Sequence, residues 1–519
     1  MTPKLHHSIA ALLLCALCVS AVEIHAQSAA RGSTRRKPVP RPVTPVFDLT
    51  GKKAGQALDP RIVWKRSLQL PLTDAAGKTL VGTEVMELVA HEGKLFAGNS
   101  HWGDDDADED GDKPPTQVFV KDSADSPWRV DLELGPEFTR TSFLKEVTFT
   151  TDADGKPMKA HSRLILGVNR ARVRGGKTPA VIFIRDDATG KWIERTLGLS
   201  DMEKWAVGVR SMGFHRDTVT GADTVFLGVG PGAGIFSGVF DAEAPGGIRF
   251  GAEPEFRPAQ NQRVMDFQVC GGSLYAATQK VLYKRVQDGP KPQWREIWNT
   301  QRDRSLAGKY GADMNPGWVK YDHFRAFATN RDPATGREQL IFGALNRIFR
   351  LDPATDHIEP EVNLRELFKT QLGMDVHYLQ TQHNDLVRRP DGRESRFIGL
   401  EVMFEDDYIA AHPEVPTSHA PDRHWDPPKQ VHWAKQGFYI ERWREGGEVR
   451  HAVREIHDAT RTTPEWLARV RSVCESPFAE EKGRVIYASG FSPWGVKVSN
   501  TGWIYRGEFL TATHQGNKP

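Results

Sequence analysis

One short unit recurs along this 519-residue chain: an apolar strand, a turn carrying glycine, then a second strand that ends in small residues. Copies run over His91–Gly98, Asp154–Gly167, Thr220–Gly228, Gly271–Ala277, Thr335–Gly343, Asp391–Gly399 and Lys482–Ser489. A third strand with an aromatic centre follows, as in Val118-Phe-Val, Val281-Leu-Tyr and Trp503-Ile-Tyr. A fourth strand often carries tryptophan, as at Trp128, Trp192 and Trp294. Small residues in the second strand let neighbouring sheets approach, and aromatics further out fill a wedge that widens with radius. That taper is the packing problem of a propeller, so the repeat predicts an all-β, seven-bladed β-propeller. A sandwich needs no repeat of this period. The last unit stops at its third strand, Gly502–Arg506, and the orphan strand Ile62–Leu70 is expected to supply the missing outer one. Closing the ring with the N-terminal strand removes exposed edges.

The ends read differently. Lys4 followed by the apolar run Ile9–Val22 and small residues near Ala21 and Ala26 has the form of a secretory signal, too short to span a bilayer comfortably. The expected organisation is a signal peptide over 1–26, a Pro/Arg-rich disordered leader over 27–60, the propeller over 61–510 and a tail over 511–519. The chain is therefore expected to be secreted or periplasmic, with no membrane span. Cys15 and Cys18 lie in the signal, and Cys270 and Cys474 are expected to remain as two buried free thiols.

Net charge is only +2, so any charged ligand must be met locally. In a propeller the innermost strands start at one face of the central channel. Their starts carry Glu84, Lys145, Arg210, Arg263, Arg325, the run His383-Asn384, and Arg471. Converging guanidiniums repel one another and lose hydration, and an anion relieves both costs. A guanidinium fork suits a carboxylate. The opposing reading has each arginine paired with a nearby acid such as Asp266, Asp322, Asp385 or Glu475, serving only to staple sheets together. At a second-strand exit His101 stands beside Trp102, an imidazole next to an aromatic face, as a sugar site requires.

Asp106, Asp108 and Asp110, followed by Gly111, match the start of a calcium loop, but Gln117 stands where its closing bidentate glutamate belongs. A structural Ca²⁺ and a merely solvated acidic loop both stay open there; no cofactor is otherwise required. No nucleotide loop, zinc signature or serine-nucleophile elbow occurs, and no basic–aromatic stripe suggests nucleic acid.

Val209-Arg-Ser, His215-Arg-Asp, Gly234–Asp241, Gly247–Phe250 and Asn261–Met265 together resemble the secreted seven-bladed polysaccharide lyases of the ulvan lyase and rhamnose–glucuronate lyase types. The resemblance implies that Arg210 and Arg263 clamp a uronate carboxylate, with Arg325, Arg471, Lys145, Asn384 and Trp102 completing the substrate site. It implies His101 and His383 as the proton-handling pair. Those lyases also use a tyrosine, and between the second and third units the nearest aromatic here is Trp205. The implied partner is an anionic, uronate-containing polysaccharide or oligosaccharide, cleaved by β-elimination, and a monomer is expected. Two other readings stay open: a sialidase-like glycoside hydrolase, for which Glu84, Asp266, Glu401 or Tyr378 are candidate groups, and a propeller that only binds a glycan or protein.

Overall fold

The computed structural model describes residues 61–510 apart from 102–114, 172–177, 201–206, 231–232, 259–261, 288–290, 303–322, 333–334, 413–416, 420–430, 459, 461–466 and 492–499. What it describes is nearly all β. The exceptions are the helices Leu364–Leu372 and Asp406–Ala411 and a single 3-10 turn at Pro245–Gly247.

The strands pair in antiparallel succession, four to a group. Sheet 1 is Glu84–His91, Lys94–Ser100, Gln117–Lys121 and Arg129–Glu133. Sheet 2 is Phe138–Thr151, Pro157–Arg170, Thr178–Asp186 and Lys191–Ser200. Sheet 3 is Val207–Arg216, Asp223–Gly230, Gly234–Phe240 and Ile248–Phe250. Sheet 4 is Val264–Cys270, Ser273–Thr278, Val281–Val286 and Gln293–Asn299. Sheet 5 is Arg325–Arg331, Glu338–Ala344, Arg347–Asp352 and His357–Asn363. Sheet 6 is Tyr378–Arg388, Glu394–Glu405, Gly437–Glu445 and Glu448–Ile456. In sheet 7, Arg469–Glu475, Val485–Phe491 and Trp503–Phe509 take Ile62–Gln69 from the other end of the chain as fourth strand. First strands pack on the first strands of the next sheet throughout, and Arg469–Glu475 packs on Glu84–His91.

The small residues of the second strands do what their size suggests. A Cβ added at Gly167 would lie 2.5 Å from the Val209 carbonyl, and one at Gly228 would lie 2.6 Å from the Val264 Cβ. Cβ atoms at Gly98, Gly343 and Gly399 would likewise run into Thr141, Thr381 and Val470. In every case a residue of the next sheet's first strand is in the way, joined at Gly167 by Phe143 and at Gly228 by Ser211 of the same sheet. Between sheets lie apolar cores, such as Ile165 and Ile182 against Val209 and Leu227, each buried side chain contributing about 1.5–3 kcal/mol.

Further out, third-strand cations tie neighbouring sheets together. Arg185 Nε and Trp192 Nε1 both donate to Asp131 Oδ2, at 3.1 and 2.8 Å, and the guanidinium lies 5.1 Å over Phe96. Sheet 4 repeats the device: Arg285 Nε and Trp294 Nε1 donate to Glu255 Oε1 at 2.7 and 2.9 Å, with Phe226 5.0 Å below the guanidinium. Arg442 makes a bidentate pair with Glu361 of sheet 5, both bonds 2.7 Å. Cys270 is buried and Cys474 half-buried, and both are free thiols.

The first strands share one irregularity. Each has a register shift near its start, leaving out of the ladder Met86, Ser142, Arg210, Met265, Ala326-Phe327, Gln382-His383 and Arg471 in sheets 1 to 7. A bulge inserts an unpaired residue and re-aims its side chain. Here it recurs where the first strands meet.

Candidate functional site

Arginines from several sheets converge at these strand starts. Burial first, then the positive charges of Arg140, Arg263, Arg325 and Arg471, pull Arg210 well below its ordinary pKa. Arg325 is lowered to about 10 and Arg471 to about 9, burial again leading and Arg469 and Arg140 adding like charge to each. A guanidinium stays protonated in a protein, so these directions mark charges held out of water first and crowded by like charge second.

Two glutamates stand among them. Glu84 is fully buried and ion-paired with both Arg140, at 2.9 Å, and Arg471. Burial pushes its carboxyl up, but Arg140, Arg471 and Arg469 outweigh that and hold it well below the usual carboxylate range. Glu401 pairs with Arg469 and accepts from Trp433 Nε1 at 2.7 Å. Arg325 Nη1 donates to Gln382 Oε1 at 3.1 Å, an uncharged partner that Arg471 shares. Arg210 Nη1 is buried and has no hydrogen-bond partner among the described residues. The stapling reading thus holds for Arg140, Arg469 and Arg471, and leaves Arg210 without a carboxylate in the described structure.

Lys145 does not join this group. Burial would lower its pKa, but Glu87, Asp266 and Asp385 raise it. It belongs to a second layer of charge. Glu87 is pushed up to about 7 by burial, against the pull of Lys145 and the Leu144 amide, and Asp385 to about 7 by burial and Glu87. The carboxylates of this layer accept backbone amides of the next sheet: Leu144 on Glu87 at 2.9 Å, Phe327 on Asp266 at 3.1 Å and Val473 on Asp385 at 2.7 Å.

His383, in the sheet 6 bulge, touches both layers. Its Nδ1 lies 3.8 Å from Glu87, and its side chain is 30% exposed. Burial, then Lys145, Arg471 and Arg325, lower it to about 3, so the imidazole is neutral at ordinary pH. Asn384 Nδ2 donates to the Ala326 carbonyl at 3.2 Å, while its Oδ1 has no partner among the described residues. His101 is buried at the end of sheet 1's second strand, beside Ser100, whose hydroxyl donates to Glu84 at 2.8 Å. Tyr378, 1% exposed, accepts from Gln380 Nε2 at 2.9 Å and lends partial compensation to Arg325. Trp102 and the acidic run with Asp106, Asp108 and Asp110 lie outside the described residues. Among the described residues no group of His, Cys, Asp and Glu is arranged to hold a metal ion.

Sequence reasoning passed over Arg140, Arg469 and His323. Arg140 and Arg469 stand two residues before the bulge of their strands, as Glu84 and Arg263 do. That shared offset shows only once the bulges are known. His323 precedes sheet 5's first strand. Its Nε2 lies 3.1 Å from Gln279 Nε2, and its Nδ1 is buried with no hydrogen-bond partner among the described residues. Burial, then Arg325, Lys280, Arg210 and Arg263, hold its pKa well below the ordinary histidine value.

No family model matches the chain, and no curated protein does. Solved structures do match. A GH74 enzyme of Niastella koreensis aligns at TM-score 0.40 and 12% identity, over 85% of this chain and 53% of that one. A mutant of Trypanosoma rangeli sialidase displaying trans-sialidase activity aligns at 0.32 and 10%, over 87% and 59%. An auxiliary nutrient binding protein of Bacteroides thetaiotaomicron aligns at 0.33 and 9%, over 76% and 77%. The chain thus spans about half the length of the GH74 enzyme. No helix among the described residues is long and apolar enough to cross a membrane.

Proposed function

We propose that this chain is a secreted seven-bladed β-propeller, closed by the strand Ile62–Gln69, that takes a uronate-containing glycan onto its converging arginines and cleaves it by β-elimination. The observation that carries this reading is Arg210: a buried guanidinium nitrogen without a partner among the described residues, under the like charges of Arg140, Arg263, Arg325 and Arg471. A carboxylate placed there supplies the missing acceptor and cancels the repulsion.

The chemistry follows from the same charges. The proton on C5 of a uronate is weakly acidic until negative charge spreading onto the carboxylate is stabilised, which Arg210, Arg263 and Arg325 are arranged to do. His383, partly exposed, is the proposed base, with the bound carboxylate offsetting the Lys145, Arg471 and Arg325 charges that otherwise lower its basicity. It takes the C5 proton, the C4=C5 double bond forms, and the C4–O bond breaks. The departing oxygen takes a proton from His101 or from water. The Asn384 Oδ1 accepts from a sugar hydroxyl, and Trp102 offers a stacking face. Arg471 adds to the positive field, and Lys145 holds the carboxylate layer beneath it. The chain acts as a monomer.

Incubation with a panel of uronate polysaccharides tests this. An unsaturated uronate, detected by its ultraviolet absorbance, supports elimination. New reducing ends without that absorbance would establish a hydrolase instead, and binding without either product a glycan-binding protein. Unchanged turnover in Arg210→Ala would overturn the assignment of the clamp.

A further inference from the structure

We propose that His323 is a fourth, uncharged arm of the anion clamp, presenting Nδ1–H to the ligand carboxylate beside Arg210, Arg263 and Arg325. The inference rests on the reading of this site as a carboxylate-binding pit and names a residue that reading does not use.

The argument starts at the other ring nitrogen. Nε2 faces the amide nitrogen of Gln279 at 3.1 Å. An amide nitrogen only donates, so the ring nitrogen opposite it must accept. A neutral imidazole that accepts at Nε2 carries its hydrogen at Nδ1. That the ring is neutral follows from its surroundings: it is half-buried, and the charges of Arg325, Lys280, Arg210 and Arg263 all oppose a further proton. Nδ1 is then a buried donor with no partner among the described residues, a costly arrangement in a folded protein unless a ligand completes it.

Its place fits the task. His323 stands two residues before Arg325, so both reach the site from one short segment of sheet 5, while Gln279 follows the second strand of sheet 4 and fixes the ring from behind. A carboxylate has more lone pairs than one guanidinium fork can fill. A fourth cation here would deepen the repulsion that already burdens Arg210. A neutral N–H adds a hydrogen bond without adding charge. The same tautomer argues against His323 as a base, because a basic Nδ1 would turn Nε2–H toward the Gln279 amide hydrogens.

The test uses the full mature protein and sodium D-glucuronate, with D-glucose as the uncharged control. By calorimetry, His323→Leu is expected to weaken glucuronate binding by about ten- to a hundredfold, the usual loss for a hydrogen bond to a charged group. His323→Asn places an amide N–H near the Nδ1 position and is expected to keep affinity within a few-fold of wild type. Equal affinity in wild type and His323→Leu overturns the proposal while leaving the carboxylate pit standing. Failure of wild type to prefer glucuronate over glucose overturns the pit itself. If His323→Leu does not fold, nitrogen NMR of histidine-labelled wild type decides. A protonated Nδ1 that shifts on adding glucuronate supports the proposal, and an unprotonated or unresponsive Nδ1 refutes it.

Discussion

Replacing Arg210 with methionine should make this protein more stable and less able to bind. The guanidinium stands among Arg140, Arg263, Arg325 and Arg471, and its Nη1 has no partner among the described residues. Glu84 pairs with Arg140 and Arg471 and softens their repulsion, but like charge still bears on Arg210 from Arg140 first, then Arg263, Arg325 and Arg471. At an effective dielectric of about 20, a like charge within reach of Arg210 costs on the order of 1–2 kcal/mol, partly screened by water. Arg210 is half-buried, and even whole buried ion pairs gain up to about 1–4 kcal/mol when apolar side chains of similar volume replace them. We therefore expect Arg210→Met to raise the unfolding free energy by about 1–3 kcal/mol. The chain's large unfolding entropy, about 2.1 cal/mol/K per residue, reduces that to about 1–3 °C in Tm. Urea titration with fluorescence detection is the better readout. The control is Arg469→Met, which strips Glu401 of its ion-pair partner and should cost about 3–5 kcal/mol. Glucuronate affinity should fall at least tenfold in Arg210→Met. A loss of stability in Arg210→Met comparable to that of Arg469→Met would mean that Arg210 is already compensated, and the argument for an anion at this place would fail.

Other consequences are open to measurement. His91 is buried between Glu146, at 2.8 Å, and Asp187, at 2.9 Å; burial works against its charge, but these partners raise its pKa to about 9. Its folded value lies above the unfolded 6.5, so its contribution is complete below pH 6.5 and is lost as the pH rises through about 9. Urea titrations across that window should show a fall about 2–3 kcal/mol larger in wild type than in His91→Asn, which keeps only the decline from raised carboxyls such as Glu87, Asp385 and Glu455. Gly167→Ala drives a Cβ into Phe143 and the Val209 carbonyl, and should destabilise by about 1–3 kcal/mol, read in the same titration. Should the run with Asp106, Asp108 and Asp110 hold a structural Ca²⁺, chelation will lower Tm and added Ca²⁺ will restore it; an unmoved Tm leaves a solvated acidic loop.

The repeat was readable because packing between sheets acts on single positions. Where a second strand passes close to the next sheet's first strand, only a small residue fits, and Gly98, Gly167, Gly228, Gly343 and Gly399 mark those places in the sequence. Third-strand aromatics followed by a cation, as in Val281-Leu-Tyr-Lys-Arg285, similarly mark the outer staples. The membership of the site was harder to read, for a reason of parity. Successive side chains of a strand alternate between faces, and one inserted residue reverses the alternation. Lys145 stands three residues past its bulge and meets Glu87 and Asp266, each one residue past theirs, instead of the arginines. Arg140 and Arg469 stand two residues before theirs and do meet them. No feature of the sequence marks the inserted residue as inserted, since methionine at 86, serine at 142 and arginine at 210 and 471 share no chemistry that sets them apart from their neighbours. His323 was hidden differently: it belongs to a strand's approach, and its role appears only when Gln279 from another sheet fixes its tautomer.

The bulge also explains how one strand can be both staple and site. The residue just past it serves the neighbouring sheet: Glu87 accepts the Leu144 amide, Ser211 donates to the Val264 carbonyl, Asp266 accepts the Phe327 amide, and Ser472 accepts the Leu88 amide. These bonds join backbone to side chain and must keep their register for the sheets to hold together. The unpaired residue before them is released from the ladder, so its side chain can change without moving a cross-strand pair. Methionine, serine and arginine all occupy it here. Charge can therefore accumulate at the meeting point of the strands while the staples next to it stay intact, and the repulsion it brings is local to the place where an anion would relieve it.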